Sequence, residues 1–239
     1  MVADICHCGQ VNFNTADETL NQMVPSSSLD AYSGYSHRLL MACHDISELA
    51  TQLEVPGSID FDGFVTKLKE IISSLGSPVI EPDCQPCSVN ITVAQISRLL
   101  YVAQRIRYAA FVFLHAVVDR AAEVYQVDPE ERQRVHDQMP YTKDEALCGC
   151  LEMLSEIPIG KHCEFAGLAL ALFLVGCEVN DDRRRYLILD KLFVIERSFG
   201  LGHIARAKDG LMMIWQREQD GHRFWWKTME EIGWELILC

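Results

Sequence analysis

Glu178, Asn180, Asp181 and Asp182 crowd one short stretch of this 239-residue chain, directly before Arg183, Arg184 and Arg185. Carboxylates this close together supply the oxygen ligands that Mg²⁺ takes, so Glu178, Asp181 and Asp182 are the candidate metal ligands. The plainer use of the same residues is capping of a helix by Asp181 or Asp182, with ion pairs to the arginines. Cys84-Gln85-Pro86-Cys87 sets two thiols at a spacing that can share a metal or close a redox disulfide. No second C-x2-C completes a zinc site, so Cys148-Gly149-Cys150 or Cys6-His7-Cys8 would have to be carried to it by the fold. The histidines are scattered and form no H-E-x-x-H pair. His115 and Asp119 stand one helical turn apart, which suits a hydrogen-bonded pair around a satisfied core histidine. Nucleophile elbows, phosphate loops and dinucleotide fingerprints are all missing, so conventional nucleophilic and nucleotide chemistry has no support.

Aromatic residues form the other signal. Tyr101, Tyr108, Phe111 and Phe113 fall in one segment, and Trp215, Phe224, Trp225, Trp226 and Trp234 fall near the end. Such residues usually fill a core, because each buries a large apolar area. Where they line a cavity instead, Tyr101, Tyr108, Phe111, Trp215, Trp225 and Trp226, with the adaptable Met212 and Met213, would favour a hydrophobic small molecule such as a terpenoid or sterol. Trp225, Trp226 and Trp234 would equally suit the interface of a homodimer.

Helices must position these groups. Leu39, Cys43, Ile46, Ala50 and Leu53 recur at three- and four-residue steps over Ser36–Glu54, and a second stripe runs from Phe61 to Leu75 behind an Asp60 cap. Thr92 to Gln126 is helical throughout, long enough to cross most of the domain or to need a kink. Asp128-Pro129-Glu130-Glu131 starts another helix, and Thr142-x-x-Glu145 is a capping box for one reaching Glu156. An apolar helix over 162–178, one from Asp181 or Asp182 to Phe199 closed by Gly200, and two more at about 204–219 and 222–237 complete the chain. The pattern predicts an all-α, irregular single domain of about eight to ten helices over residues 35–239, behind a flexible lead-in at 1–34. The 162–178 helix, with few polar positions, should be its most buried element. Its apolar run Phe165–Cys177 is thirteen residues long, short of the roughly twenty that span a bilayer, so no membrane association is expected.

The charge balance excludes a nucleic-acid binder. Twenty-one basic against thirty-four acidic residues give a formal charge of −13, which repels a polyphosphate. The first ten residues lack the basic and apolar regions of a secretory leader, and the ten cysteines are expected to be mostly reduced.

Several of these segments occur in an order that resembles one family. The chain has HRLLMACHDISELA (37–50), RIRYAAFVFLHAV (105–117), a proline-led apolar helix ending in Gly176-Cys177-Glu178, and an acidic turn at Asp182-Arg183. GLGHIARAKDGLMMIW (200–215) and WWKTMEEIGWELIL (225–238) follow. Over residues 35–239 this resembles the C-terminal fungal-specific transcription factor domain of zinc-binuclear-cluster regulators. Members normally begin with a compact set of cysteines holding two zinc ions beside a basic run, and this sequence lacks that cluster. The resemblance implies a regulatory domain without a cofactor, responsive to a ligand or partner and connected with secondary metabolism. It would act in the nucleus through a DNA-binding portion or partner. Met1 points instead to a stand-alone relative, and the alternative is recruitment as an unconventional Mg²⁺-dependent sesquiterpene cyclase, or another biosynthetic enzyme on a hydrophobic substrate, in the cytoplasm. There Glu178, Asp181 and Asp182 would bind the metal, and Arg183, Arg184 or Lys227 a prenyl diphosphate. The usual DDxxD and Asn/Ser/Glu metal motifs are absent.

Overall fold

A computed structural model describes residues 37–76, 92–219 and 224–231. The lead-in, the Cys84/Cys87 pair, Cys6, Cys8 and Trp234 lie outside the described residues. Among the described residues there are nine α-helices and no strand. They are α1 (His37–Glu54), α2 (Phe61–Gly76), α3 (Val93–Val124), α4 (Pro129–His136), α5 (Lys143–Leu151), α6 (Leu168–Gly176), α7 (Asp182–Phe199), α8 (His203–Gln219) and α9 (Trp225–Glu231). None is long and apolar enough to cross a membrane.

The long helix α3 is the axis of the fold. Its 32 residues run unbroken, which at about 1.5 Å per residue is roughly 48 Å. Thr92 caps it reciprocally with Gln95, and Tyr125 ends it before Gln126 turns left-handed at φ 53°. Nearly every side chain from Ala109 to Val118 is buried, because α1, α5 and α6 pack around this stretch. All nine residues of α6 are buried, and Gly176 at its end lets α8 approach: an added Cβ there would lie 2.9 Å from both methyls of Leu211. Trp215 of α8 fixes that approach by donating from its indole to the Gly176 carbonyl at 2.7 Å.

Local signals set the helix boundaries wherever a cap is present. Asp128 accepts from Glu130 N and Glu131 N, Thr142 and Glu145 close a capping box, Asp181 accepts from Arg184 N, and Gly200 ends α7 at φ 67°. The boundaries differ from expectation in two places. Helix α5 stops at Leu151 rather than Glu156, because the Glu152 carbonyl is taken by Tyr101 Oη at 2.8 Å and Arg105 Nη2 at 3.3 Å. The apolar 162–178 segment is a 3₁₀ turn, Cys163–Gly167, leading into α6. A preceding 3₁₀ turn, Ile159–Lys161, seats Gly160 so tightly on α7 that an added Cβ would meet Ser198 Oγ at 2.6 Å.

Candidate functional site

Five helices and the short connections beside them converge on one small cavity. Helix α3 contributes Ala116 and Asp119, the start of α5 gives Lys143, and the exit from α6 gives Cys177, Glu178 and Asn180. Ile214 comes from α8, and Phe224, Trp225 and Thr228 come from α9 and the residue before it. The cavity measures about 140 Å³ and is mostly enclosed. Its apolar side is aromatic. Trp225 packs edge-on to Phe173 and tilted on Phe113, is 4% exposed, and its buried indole N–H has no acceptor among the described residues.

The polar side is a chain of charges. Lys143 Nζ donates to Glu178 Oε2 at 2.7 Å and lies 4.0 Å from Asp119 Oδ2. Behind the cavity wall, Arg132 donates to Asp119 Oδ1 from both Nε and Nη2, and His136 Nε2 lies 3.0 Å from the same oxygen. His136 Nδ1 meets His115 Nδ1 at 2.7 Å, and His115 Nε2 meets the Tyr141 carbonyl at 2.9 Å. These partners fix the protons. Tyr141 O only accepts, so His115 Nε2 carries hydrogen; the carboxylate only accepts, so His136 Nε2 carries hydrogen; one further proton must lie between the two Nδ1 atoms. Burial, helped by the neighbouring charge of His136 and outweighing the bond to Tyr141, pushes His115 down to about 4. Burial alone would raise Asp119, but the bonds from His136 and Arg132 and the charge of Lys143 hold it down at about 2.

The residues singled out in the sequence are distributed over several places. Glu178 lies in the cavity and is bound by Lys143, whereas Asp181 caps α7 and pairs with Arg184 at 3.3 Å, and Asp182 is an exposed first-turn acid. Among the described residues, the donor atoms close enough to share one metal ion are those of His44, Asp45 and Glu48 on α1. Glu178, Asp181 and Asp182 form no such group of three. Trp225 lines the cavity. Trp226 is also buried in the chain, against Phe113 and Phe224, with its Nε1 3.5 Å from Glu54 Oε1. Neither ring offers a surface to a second copy. Tyr101 caps α5 and meets Phe165 edge-on, and Tyr108 and Phe111 pack edge-on to Tyr141, outside the cavity. Met212 and Trp215 border an open groove with Arg185 and Tyr186, and Met213 is half-buried on α8.

His115 and Asp119 do belong to one network, but through His136 rather than directly. Lys143, His136 and Glu54 were not read as site residues. Lys143 carried the one available signal, a cation beside a capping-box threonine, which is ordinary helix-surface chemistry and points to nothing further. Cys177 lines the cavity, and among the described residues no two cysteines are joined in a disulfide. Burial pushes Cys150 up to about 12, so it remains an inert core thiol.

The molecule is thus an all-α domain whose last described helix closes a small, charge-lined cavity. A match to the fungal-specific transcription factor domain over residues 8–239 shows that the chain belongs to that family. The match begins within the segment read as a lead-in. No curated protein and no solved structure matches the chain.

Proposed function

We propose that this chain is the regulatory domain of a fungal transcription factor, acts in the nucleus, and changes state when a small molecule occupies the cavity beneath α9. Family membership supports the regulatory role. The observation that carries ligand control is the cavity of about 140 Å³ itself, whose wall Trp225 and Thr228 of α9 share with residues of the core helices. Occupancy would bear directly on α9, whose Trp225, Trp226 and Met229 pack into the core.

The mechanism is a change in how firmly α9 docks. Trp225 and Thr228 face the cavity, while Lys227 donates to Glu54 Oε2 at 2.7 Å on the neighbouring face. Filling the cavity adds contacts between α9 and the α3–α6 core, and emptying it leaves α9 held mainly by its aromatic packing and by Glu54. The test is a reporter driven by the full chain fused to an unrelated DNA-binding domain, with the chain imaged alongside. Ala116→Leu, which fills the cavity with side chain, is expected to lock reporter output at one level and abolish its response to culture conditions. Output identical to wild type under every condition, or exclusion of the unfused chain from nuclei, would refute the reading.

A further inference from the structure

Helices α7 and α8 leave an apolar groove open to solvent on the face away from the core. Tyr186, Leu189, Met212 and Trp215 line it with Arg185 and Gln216, around a volume of about 470 Å³. One turn further along α7 the stripe continues in Phe193, over whose ring stand Arg197 and Lys208. Tyr186 is 75% exposed and Phe193 47%, and no other Phe, Tyr or Trp among the described residues is as open. Exposed apolar surface gathered on one face marks an interaction site. Tyr186, Leu189 and Phe193 span two helical turns, about 10 Å, which suits the apolar face of a short amphipathic helix.

Charge defines the occupant. Residues 182–219 hold eight Lys or Arg against five Asp or Glu, on a chain of formal charge −13. Asp182 is the one acid in the groove lining, and Arg183 and Arg197, near its two ends, have no ion-pair partner among the described residues. The groove therefore favours an acidic helix. The chain supplies one: the 36 residues before α1 contain Asp4, Asp17, Glu18 and Asp30 and no Lys or Arg. The family match starts at residue 8 and so takes most of that stretch into the domain. Within it Thr15-x-x-Glu18 has the capping-box pattern, Leu20, Met23 and Val24 follow at helical spacing, and Pro25 stops the run.

The connection is long enough. Twelve residues separate Val24 from α1 and reach up to about 40 Å when extended. A short line of neighbours joins the start of α1 to the groove. Arg38 lies near Arg107, whose charge it opposes, the adjoining Tyr108 packs its ring on Gly149, and Cys148 lies 3.5 Å from Arg184, two residues before Tyr186.

We propose that residues 15–24 of this chain dock as a helix in the α7–α8 groove of the same molecule. Leu20, Met23 and Val24 lie against Tyr186, Leu189, Phe193 and Met212, and Asp17 and Glu18 toward the flanking arginines.

Photo-cross-linking of the full chain tests this directly. Tyr186→p-benzoylphenylalanine is expected to link to residues 15–24, located by mass spectrometry after digestion, with Phe193→p-benzoylphenylalanine as the second position if circular dichroism shows the first variant unfolded. In an equal mixture of ¹⁵N-labelled and unlabelled chains the linked peptides should be wholly heavy or wholly light. Leu20→Asp with Met23→Asp should raise amide exchange over residues 15–24 about tenfold, and Asp17→Asn with Glu18→Gln about twofold to fivefold, while exchange over residues 37–54 stays unchanged. Links to any other segment, mixed heavy and light links, which would make the occupant a second copy, no link at either position, or wild-type exchange over residues 15–24 at the rate of an unstructured peptide would overturn the proposal.

Discussion

His115 and Asp119 are both shifted downward within one buried network, and these two shifts set the acid response of the core. An unfolded histidine titrates near 6.5, whereas His115 in the fold titrates at about 4. Between those values the unfolded chain binds more protons, so this contribution to stability is complete above about pH 6.5 and is lost as pH falls toward about 4. Asp119 acts in the same direction but later. Its ordinary value of 3.8 is lowered to about 2, so its contribution is complete above about 3.8 and lost as pH falls toward 2. Urea unfolding at a series of pH values should show wild type losing about 3 kcal/mol through His115 between pH 7 and 4. His115→Gln keeps a donor for Tyr141 and an acceptor for His136, and should flatten that part of the slope; parallel curves would refute the assignment. The His115–Asp119 relation was legible from one helical turn of spacing. Its intermediary was not, because His136 lies on another helix and only the packing of α4 on α3 brings it between them.

Docking of α9 depends on one carboxylate of a different helix. Glu54, the last residue of α1, receives Arg120 Nε and Nη2 of α3 at 2.9 Å each and Lys227 Nζ of α9 at 2.7 Å, with Trp226 Nε1 at 3.5 Å. Burial pushes its carboxyl upward, and the bonds and charges of Arg120 and Lys227 more than reverse that. Glu54→Ala should lower global stability by about 1–2 kcal/mol, between the values for exposed and buried ion pairs. Amide exchange over residues 225–231 should rise about tenfold, the equivalent of about 1.4 kcal/mol of docking energy; unchanged exchange there would show that aromatic packing alone holds α9. Helix starts and stops were readable where the determinant is local, as with Asp128-Pro129, the Thr142–Glu145 box, Asp181 and Gly200. The early end of α5 was not, since Tyr101 and Arg105 of α3 cause it. The apolar run before α6 gave its burial correctly and its geometry only in part, because composition cannot separate a 3₁₀ turn from an α turn. The cavity was invisible for the same reason as the Glu54 junction: its walls come from residues between 116 and 228, joined by packing and by no motif.

At the scale of the whole molecule, membership of a transcription factor family and a formal charge of −13 pull in different directions. Affinity for DNA comes largely from cations that neutralise phosphates and release counter-ions. Here many cations are already committed: Arg98 to Glu164, Arg120 and Lys227 to Glu54, Arg132 to Asp119, Lys143 to Glu178, and Lys208 to Glu196. Turning one of these toward a phosphate would break an existing pair and leave a carboxylate facing the same polyanion, so the net gain per contact is small. The chain should therefore control transcription without touching DNA itself, through a DNA-binding portion or partner that it modulates. Fluorescence anisotropy with a mixed-sequence duplex at about 150 mM salt should show no saturable binding up to tens of micromolar protein, near the weak end of ordinary non-specific affinities. Submicromolar binding that weakens steeply with added salt would reveal a basic surface and overturn this division of labour. Weak binding with little salt dependence would also overturn it, since it would require base or shape contacts that a surface of paired charges is not expected to make.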